Sequence, residues 1–254
     1  MSHVIETHDL RKSYGRFGAL RGIDIAMPEG SVFALMGASG AGKTTAIKLL
    51  LNLIEPTHGT ARVLGVDSRG IRPGDLAQIG YVSENQLLPA RLRVAHFFDY
   101  LRPCYPHWDV RLEQDLRAQL QLPAARRIGE LSHGMRLKLA LAGALPYRPR
   151  LLILDEPFSG LDALAREEIV AEFLRRAGQT SILISSHELD EIERLATHVG
   201  FLHEGRLLFQ GPLAALYEHG RTLLAAAERP SLRAIFIAMV RSAVAPPHSV
   251  ATAP

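Results

Sequence analysis

The chain has 254 residues, of which 47% are hydrophobic and 22% charged, with a net charge of +3. It is long enough to bury its own core without staples, and the single Cys104 cannot form an internal disulfide, which fits a reducing compartment. Arginines are spread along the chain rather than clustered, so they read as solvated faces and exclude a nucleic-acid patch. No apolar run approaches the roughly 20 residues of a membrane helix, so any span is expected from another chain. Residues 1–6 lack a basic region followed by an apolar run, so no signal peptide is expected.

In chain order, residues 4–10 and 20–27 read as strands, followed by a turn at Pro28-Glu29-Gly30. Residues 31–36 are short and apolar, which suits a buried strand. A glycine-rich stretch follows, then helical periodicity over residues 44–53 and further strands at 60–66 and 79–83. Residues 87–147 change character. They are rich in Leu, Arg, Gln and Ala at helical spacing, are interrupted by Pro103, Pro106 and Pro123, and read as three or more helices. Apolar runs at 151–154 and 181–185, set between helical segments, have the pattern of parallel strands buried on both faces. The Pro-rich end of the chain reads as a disordered tail. The expected architecture is an α/β core with a β-rich start and a helical insertion.

Two motifs carry chemistry. Gly37-Ala38-Ser39-Gly40-Ala41-Gly42-Lys43-Thr44 matches G-x-x-x-x-G-K-[ST], with a strand before it and a helix after it. Glycines let backbone N–H groups turn toward phosphate oxygens, and the helix N-terminus faces the anion. Lys43 is expected to reach the β- and γ-phosphates of ATP, Thr44 to ligate Mg²⁺, and Thr45 is counted with the nucleotide contacts. The competing reading is a chance glycine-rich turn. Asp155 and Glu156 follow the apolar run at 151–154, where ligands of parallel sheets gather. Asp155 is placed to hold Mg²⁺ through its water shell, and Glu156 to polarise the attacking water. Acids that merely favour a helix start are the alternative. His187 ends the next apolar run and could hydrogen-bond the γ-phosphate; position, not residue type, singles it out among 11 histidines.

With these residues in place, the chain from about Asp9 to Met239 resembles the nucleotide-binding domain of ABC transporters. Leu131-Ser132-His133-Gly134-Met135 looks like the family's signature loop, Ser159-Gly160-Leu161-Asp162 like its D-loop, and Ser186-His187 like its switch histidine. Tyr14 sits where the family stacks an aromatic on adenine. The resemblance implies a P-loop NTPase (RecA-like) core with an N-terminal antiparallel β subdomain and an inserted α-helical subdomain at about 87–147. It implies one domain over 1–241 and a tail over 242–254. It implies head-to-tail dimers, identical or homologous, with two ATP molecules between them. Ser132, His133 and Gly134 of one subunit would face the phosphates held by the other. It further implies a separate transmembrane permease subunit and a peripheral place on the cytoplasmic side of the plasma membrane.

The chain departs from the family pattern at two places. His133 stands at the signature's usual second glycine and Met135 at its usual glutamine; the imidazole is expected to be exposed. Glu84 aligns with the glutamine of the Q-loop, where a carboxylate still offers Mg²⁺ an oxygen, and Gln86 is a rival. These features, with the segment from Cys104 to Asp109, look similar to bacterial exporter-type ATPase subunits such as the YtrB-like set. Tyr105 and Trp108 are candidates for a surface that receives the transporter's coupling helix. The alternative is a loop packed on its own aromatics. A soluble ABC ATPase acting on ribosomes or DNA is the competing function. It fits less well, because the chain has one motif set and a compact helical insertion.

Overall fold

The structure, a computed structural model, describes residues 2–176, 179–225 and 228–244. Two sheets organise it. The first is antiparallel and combines β1 (His3–Tyr14), β2 (Phe17–Ile23), β3 (Ala26–Pro28), β5 (His58–Val63) and β6 (Val66–Asp67) around β1. The expected strand at 20–27 is thus divided. At the break, the Thr7 hydroxyl donates to Ile23 O and accepts from Ile25 N, so β2 and β3 pair with different parts of β1. The expected strand at 60–66 is likewise a hairpin, because Leu64 and Gly65 turn at φ +51° and +83°.

The second sheet holds β4 (Val32–Met36), β7 (Ile79–Ser83), β8 (Leu151–Asp155), β9 (Ser181–Ser186), β10 (His198–His203) and β11 (Arg206–Pro212). Its order is β11-β10-β4-β9-β8-β7, with every neighbouring pair parallel except β10 and β11. Alternate side chains of the central strands enter two different cores. Val32, Ala34 and Met36 join one with Leu152, Leu154, Ile182 and Ile184, while Phe33 and Leu35 join the other with Leu151, Ile153 and Leu183. Burial on both faces is why these strands are continuously apolar.

Helix α1 (Lys43–Leu50) follows β4 and packs in the core shared with the antiparallel sheet. The short α2 (Pro73–Leu76) precedes β7. The middle of the chain supplies α3 (Val94–Leu101), α4 (Val110–Gln119) and α5 (His133–Ala144), whose Phe97, Phe98, Leu116 and Leu139 fill the opposite core. Then come α6 (Ala163–Arg176), α7 (Leu189–Leu195), α8 (Leu213–Leu224) and α9 (Leu232–Val244). Helix α9 runs to Val244, three residues into the expected tail; residues 245–254 lie outside the described ones. No described helix is long and apolar enough to cross a membrane.

Register places the site. Met36 pairs with Ser186, Ser185 with Asp155, and Asp155 with Ser83. The carboxyl ends of β4, β9, β8 and β7 therefore finish side by side, which is where ligands of open α/β sheets bind.

Candidate functional site

The loop from Gly37 to Gly42 leaves β4 and packs beneath β2 and β10. A Cβ on Gly37 would stand 2.2 Å from Leu202 O. Gly42, at φ +111°, would place one 2.7 Å from Ala19 O. Only glycine fits these two positions. Ala41 is buried below the loop, its N–H donating to Ala38 O and its carbonyl accepting from Gly205 N. The helix starts at Lys43, one residue before the expected position.

The Lys43 ammonium is buried and fully engaged. It donates to Gly37 O at 2.6 Å and Ala38 O at 3.2 Å, and pairs with Glu156 Oε1 at 3.0 Å. A buried charge with less than this would be strongly disfavoured. Thr44 Oγ1 donates to Asp155 Oδ1 at 3.1 Å, and Ser185 Oγ donates to the same oxygen at 2.5 Å. Ser185 also accepts from the Glu156 N–H, through Oγ at 3.0 Å and through its carbonyl at 3.1 Å. Glu156 itself adopts φ +54°, an uncommon conformation for a non-glycine residue and one that concentrates at functional sites.

The other carboxylate oxygen of Glu156 accepts from the His187 backbone N–H at 3.3 Å and lies 2.8 Å from His187 Nδ1. An ionised carboxylate only accepts, so Nδ1 carries the proton of this contact. Beyond it, burial raises the Glu188 pKa above the usual range, against the opposing charge of Arg166 at 2.9 Å.

Above these groups lies an open cleft of about 360 Å³. Its walls are Tyr14, Phe17 and Ala19, then Ser39, Gly40, Gly42, Lys43, Thr44, Thr45 and Glu156. The structure thus gathers the aromatic, the glycine loop, the lysine and one carboxylate around a single space. Ser132, His133 and Gly134 do not line it. Ser132 is exposed and caps α5, its hydroxyl accepting from Met135 N–H at 3.2 Å. His133 is not exposed as expected. Its ring packs on residues 159–160, with Nε2 3.1 Å from Ser159 O.

Of the two rivals after β7, Glu84 is the one beside the carboxylates. Its N–H donates to Asp155 O at 3.1 Å, and its Oε1 accepts from Ser159 Oγ at 2.7 Å. Gln86 borders both a groove shared with Leu88, Tyr105 and Tyr147 and a small cavity that Glu84 also lines.

Two residues escaped the sequence reading. Phe17 faces Tyr14 across the β1–β2 hairpin, and both rings are exposed, at 62% and 50%. The signal was two aromatics flanking a Gly15 turn. Ser185 was read only as part of an apolar strand. A polar residue at the buried end of such a strand was the available sign.

Chemically, the cleft offers backbone donors and a cation for phosphates, an aromatic pair for a base, and a carboxylate beside an imidazole for activating water.

Comparison with known proteins gives the arrangement a family. A family model described as ABC transporter matches residues 20–159. The bacitracin transport ATP-binding protein BcrA of Bacillus licheniformis is 35% identical over 238 residues, covering 88% of this chain and 74% of that protein. The Fe(3+) ions import ATP-binding protein FbpC of Pseudomonas fluorescens is 36% identical over 228 residues, 86% of this chain and 64% of that protein. The ABC transporter ATP-binding protein YtrB of Bacillus subtilis is 31% identical over 206 residues, 80% and 70%. A solved structure of an ATP-binding subunit of an ABC transporter matches at a TM-score of 0.82 and 26% identity, covering 93% of this chain and 99% of that one. The chain belongs to the ABC transporter family as its ATP-binding, ATP-hydrolysing subunit.

Proposed function

We infer that the chain is half of a head-to-tail ATPase dimer that drives a separate membrane permease in export, from the cytoplasmic side of the plasma membrane. One observation carries the dimer. The cleft has a phosphate loop, Tyr14 and Glu156 on its walls, while Ser132, His133 and Gly134, the family's second phosphate contact, do not line it. A second copy would supply them from the N-terminus of its own α5, where unpaired N–H groups and the helix dipole favour an anion. ATP then joins the two subunits through its γ-phosphate, and hydrolysis weakens the joint.

Within each half, Lys43 holds the phosphates, Glu156 takes the proton of the attacking water, and His187 orients Glu156. The Thr44 hydroxyl and Asp155 carboxylate, hard oxygens 3.1 Å apart, fit Mg²⁺, with Glu84 as a further oxygen. When bound there, Mg²⁺ supplies positive charge to the phosphate oxygens.

Export rests on the resemblance of the signature and Q-loop variants to exporter-type subunits. The chain also spans 74% of the bacitracin transport protein BcrA and 90% of the lantibiotic transport ATP-binding protein SrtF of Streptococcus pyogenes, and 64% of the iron import protein FbpC. For the permease, a groove of about 820 Å³ opens beside Leu87, which is 98% exposed, Tyr100 and Tyr105. Trp108 does not line it; its indole N–H donates to Glu113 at 2.8 Å, and Tyr105 also stacks on Tyr147.

Glu156→Gln tests the central reading. It should retain ATP binding, stop turnover and accumulate an ATP-bound dimer on size-exclusion chromatography. A variant that stays monomeric and hydrolyses ATP normally contradicts both the dimer and the role of Glu156.

A further inference from the structure

Two of the positions at which this chain departs from the family pattern, His133 and Glu84, are the two ends of one hydrogen-bonded path. His133 Nε2 lies 3.1 Å from Ser159 O. A carbonyl only accepts, so Nε2 bears the proton and donates. The ring also covers Gly160, whose added Cβ would stand 3.5 Å from His133 Cδ2. The side chain of Ser159 points the other way, and its Oγ donates to Glu84 Oε1 at 2.7 Å. Glu84 is anchored in turn by its N–H on Asp155 O at 3.1 Å. Between His133 and Glu84 is a cavity of about 20 Å³, also walled by Gln86 and Arg136, and the hydrogen bonds that join the two residues run through Ser159.

The pairing has a physical reason. An amide at position 84 would be neutral. The carboxylate brings negative charge to a sheet edge that already holds Asp155 and Glu156, where like charges repel. A hydroxyl aimed at it offsets part of that cost, since hydrogen bonds to ionised groups are the stronger kind. The hydroxyl is useful only if its loop is held, and a glycine at position 133 has no side chain to hold it.

We propose that His133 is a positioning residue that clamps residues 159–160 so that Ser159 orients the Glu84 carboxylate beside Asp155. The functional consequence rests on the reading of that edge as the hydrolytic site. The clamp itself does not.

The test uses the full chain. Without nucleotide, His133→Gly should speed amide hydrogen exchange over residues 84–88, and His133→Gln, which keeps a donor, should restore the slower rate. Unchanged exchange in His133→Gly overturns the clamp, and this measurement needs no hydrolysis. In ATPase assays, His133→Gly should lower kcat about three- to tenfold, and His133→Gln should restore it. In a Glu84→Gln background, the same substitution should cost less than about twofold, because the partner is neutral there. Equal loss in both backgrounds overturns the coupling. Should His133→Gly fail to fold, His133→Ala, which also removes the ring, carries the same tests, with the same expected and overturning results. Lys43→Ala and Glu156→Gln run alongside. Normal hydrolysis by both would remove the hydrolytic reading and leave the exchange result to decide the clamp.

Discussion

Ser185→Ala is the substitution whose cost can be worked most directly. Its hydroxyl is completely buried, donates to Asp155 Oδ1 at 2.5 Å and accepts from the Glu156 N–H at 3.0 Å. Water cannot readily replace it. The losses differ in weight. The Glu156 N–H keeps the Ser185 carbonyl at 3.1 Å, and Asp155 keeps the Thr44 hydroxyl at 3.1 Å. What disappears is mainly one hydrogen bond to a buried carboxylate, worth about 1.5–3 kcal/mol. A chain of this size loses roughly 2–4 °C per kcal/mol, so the midpoint of thermal unfolding should fall by about 3–12 °C. Turnover should fall further than stability suggests, by about ten- to a hundredfold, because the same hydroxyl steadies the backbone that presents Glu156. Calorimetry and steady-state ATPase assays measure the two effects. A Ser185→Ala protein with unchanged midpoint and unchanged kcat would refute the idea that this hydroxyl sets both carboxylates.

Lys43→Ala should abolish tight ATP binding, measured by equilibrium titration with a fluorescent nucleotide; wild-type affinity would show that the phosphates sit elsewhere. Glu113 provides a pH test. Burial works to raise its pKa, but hydrogen bonds from Arg102 and Trp108, with the Arg102 charge, outweigh burial and hold it below the usual 4.5. A depressed carboxylate contributes its stability above the unfolded value and loses it as pH falls through the folded one. The emission of Trp108, the sole tryptophan, should therefore shift as pH drops below about 4.5, and Glu113→Gln should remove that step. A flat signal across that range would contradict the pairing.

Much of this was legible in the sequence where burial is two-sided. Strands β4, β8 and β9 announce themselves because both faces meet a core, so no polar residue interrupts them until the functional end. The glycine loop was legible for a different reason: Gly37 and Gly42 have no room for a side chain, so the motif cannot drift. The antiparallel sheet was read less well. Its strands are half exposed and broken by bulges, and nothing local distinguishes the Thr7 hydroxyl that divides β2 from β3. The β10–β11 hairpin was missed although Glu204-Gly205, at φ +44° and +76°, forms its turn. The position of His133 was beyond the sequence altogether, since it depends on how α5 lies against residues 159–160.

The three-way engagement of Lys43 has a consequence for the order of events. An ammonium has three protons to give, and here Gly37 O, Ala38 O and Glu156 take one each. An arriving phosphate must therefore displace an acceptor. Two of the three are backbone carbonyls fixed in the loop, whereas the third is the side chain of Glu156, whose other oxygen is held by His187. In the reading proposed above, the contact that yields is the one to Glu156, with His187 left to keep that carboxylate in place. Phosphate binding at Lys43 and release of the proposed base are then a single exchange on one shared proton donor.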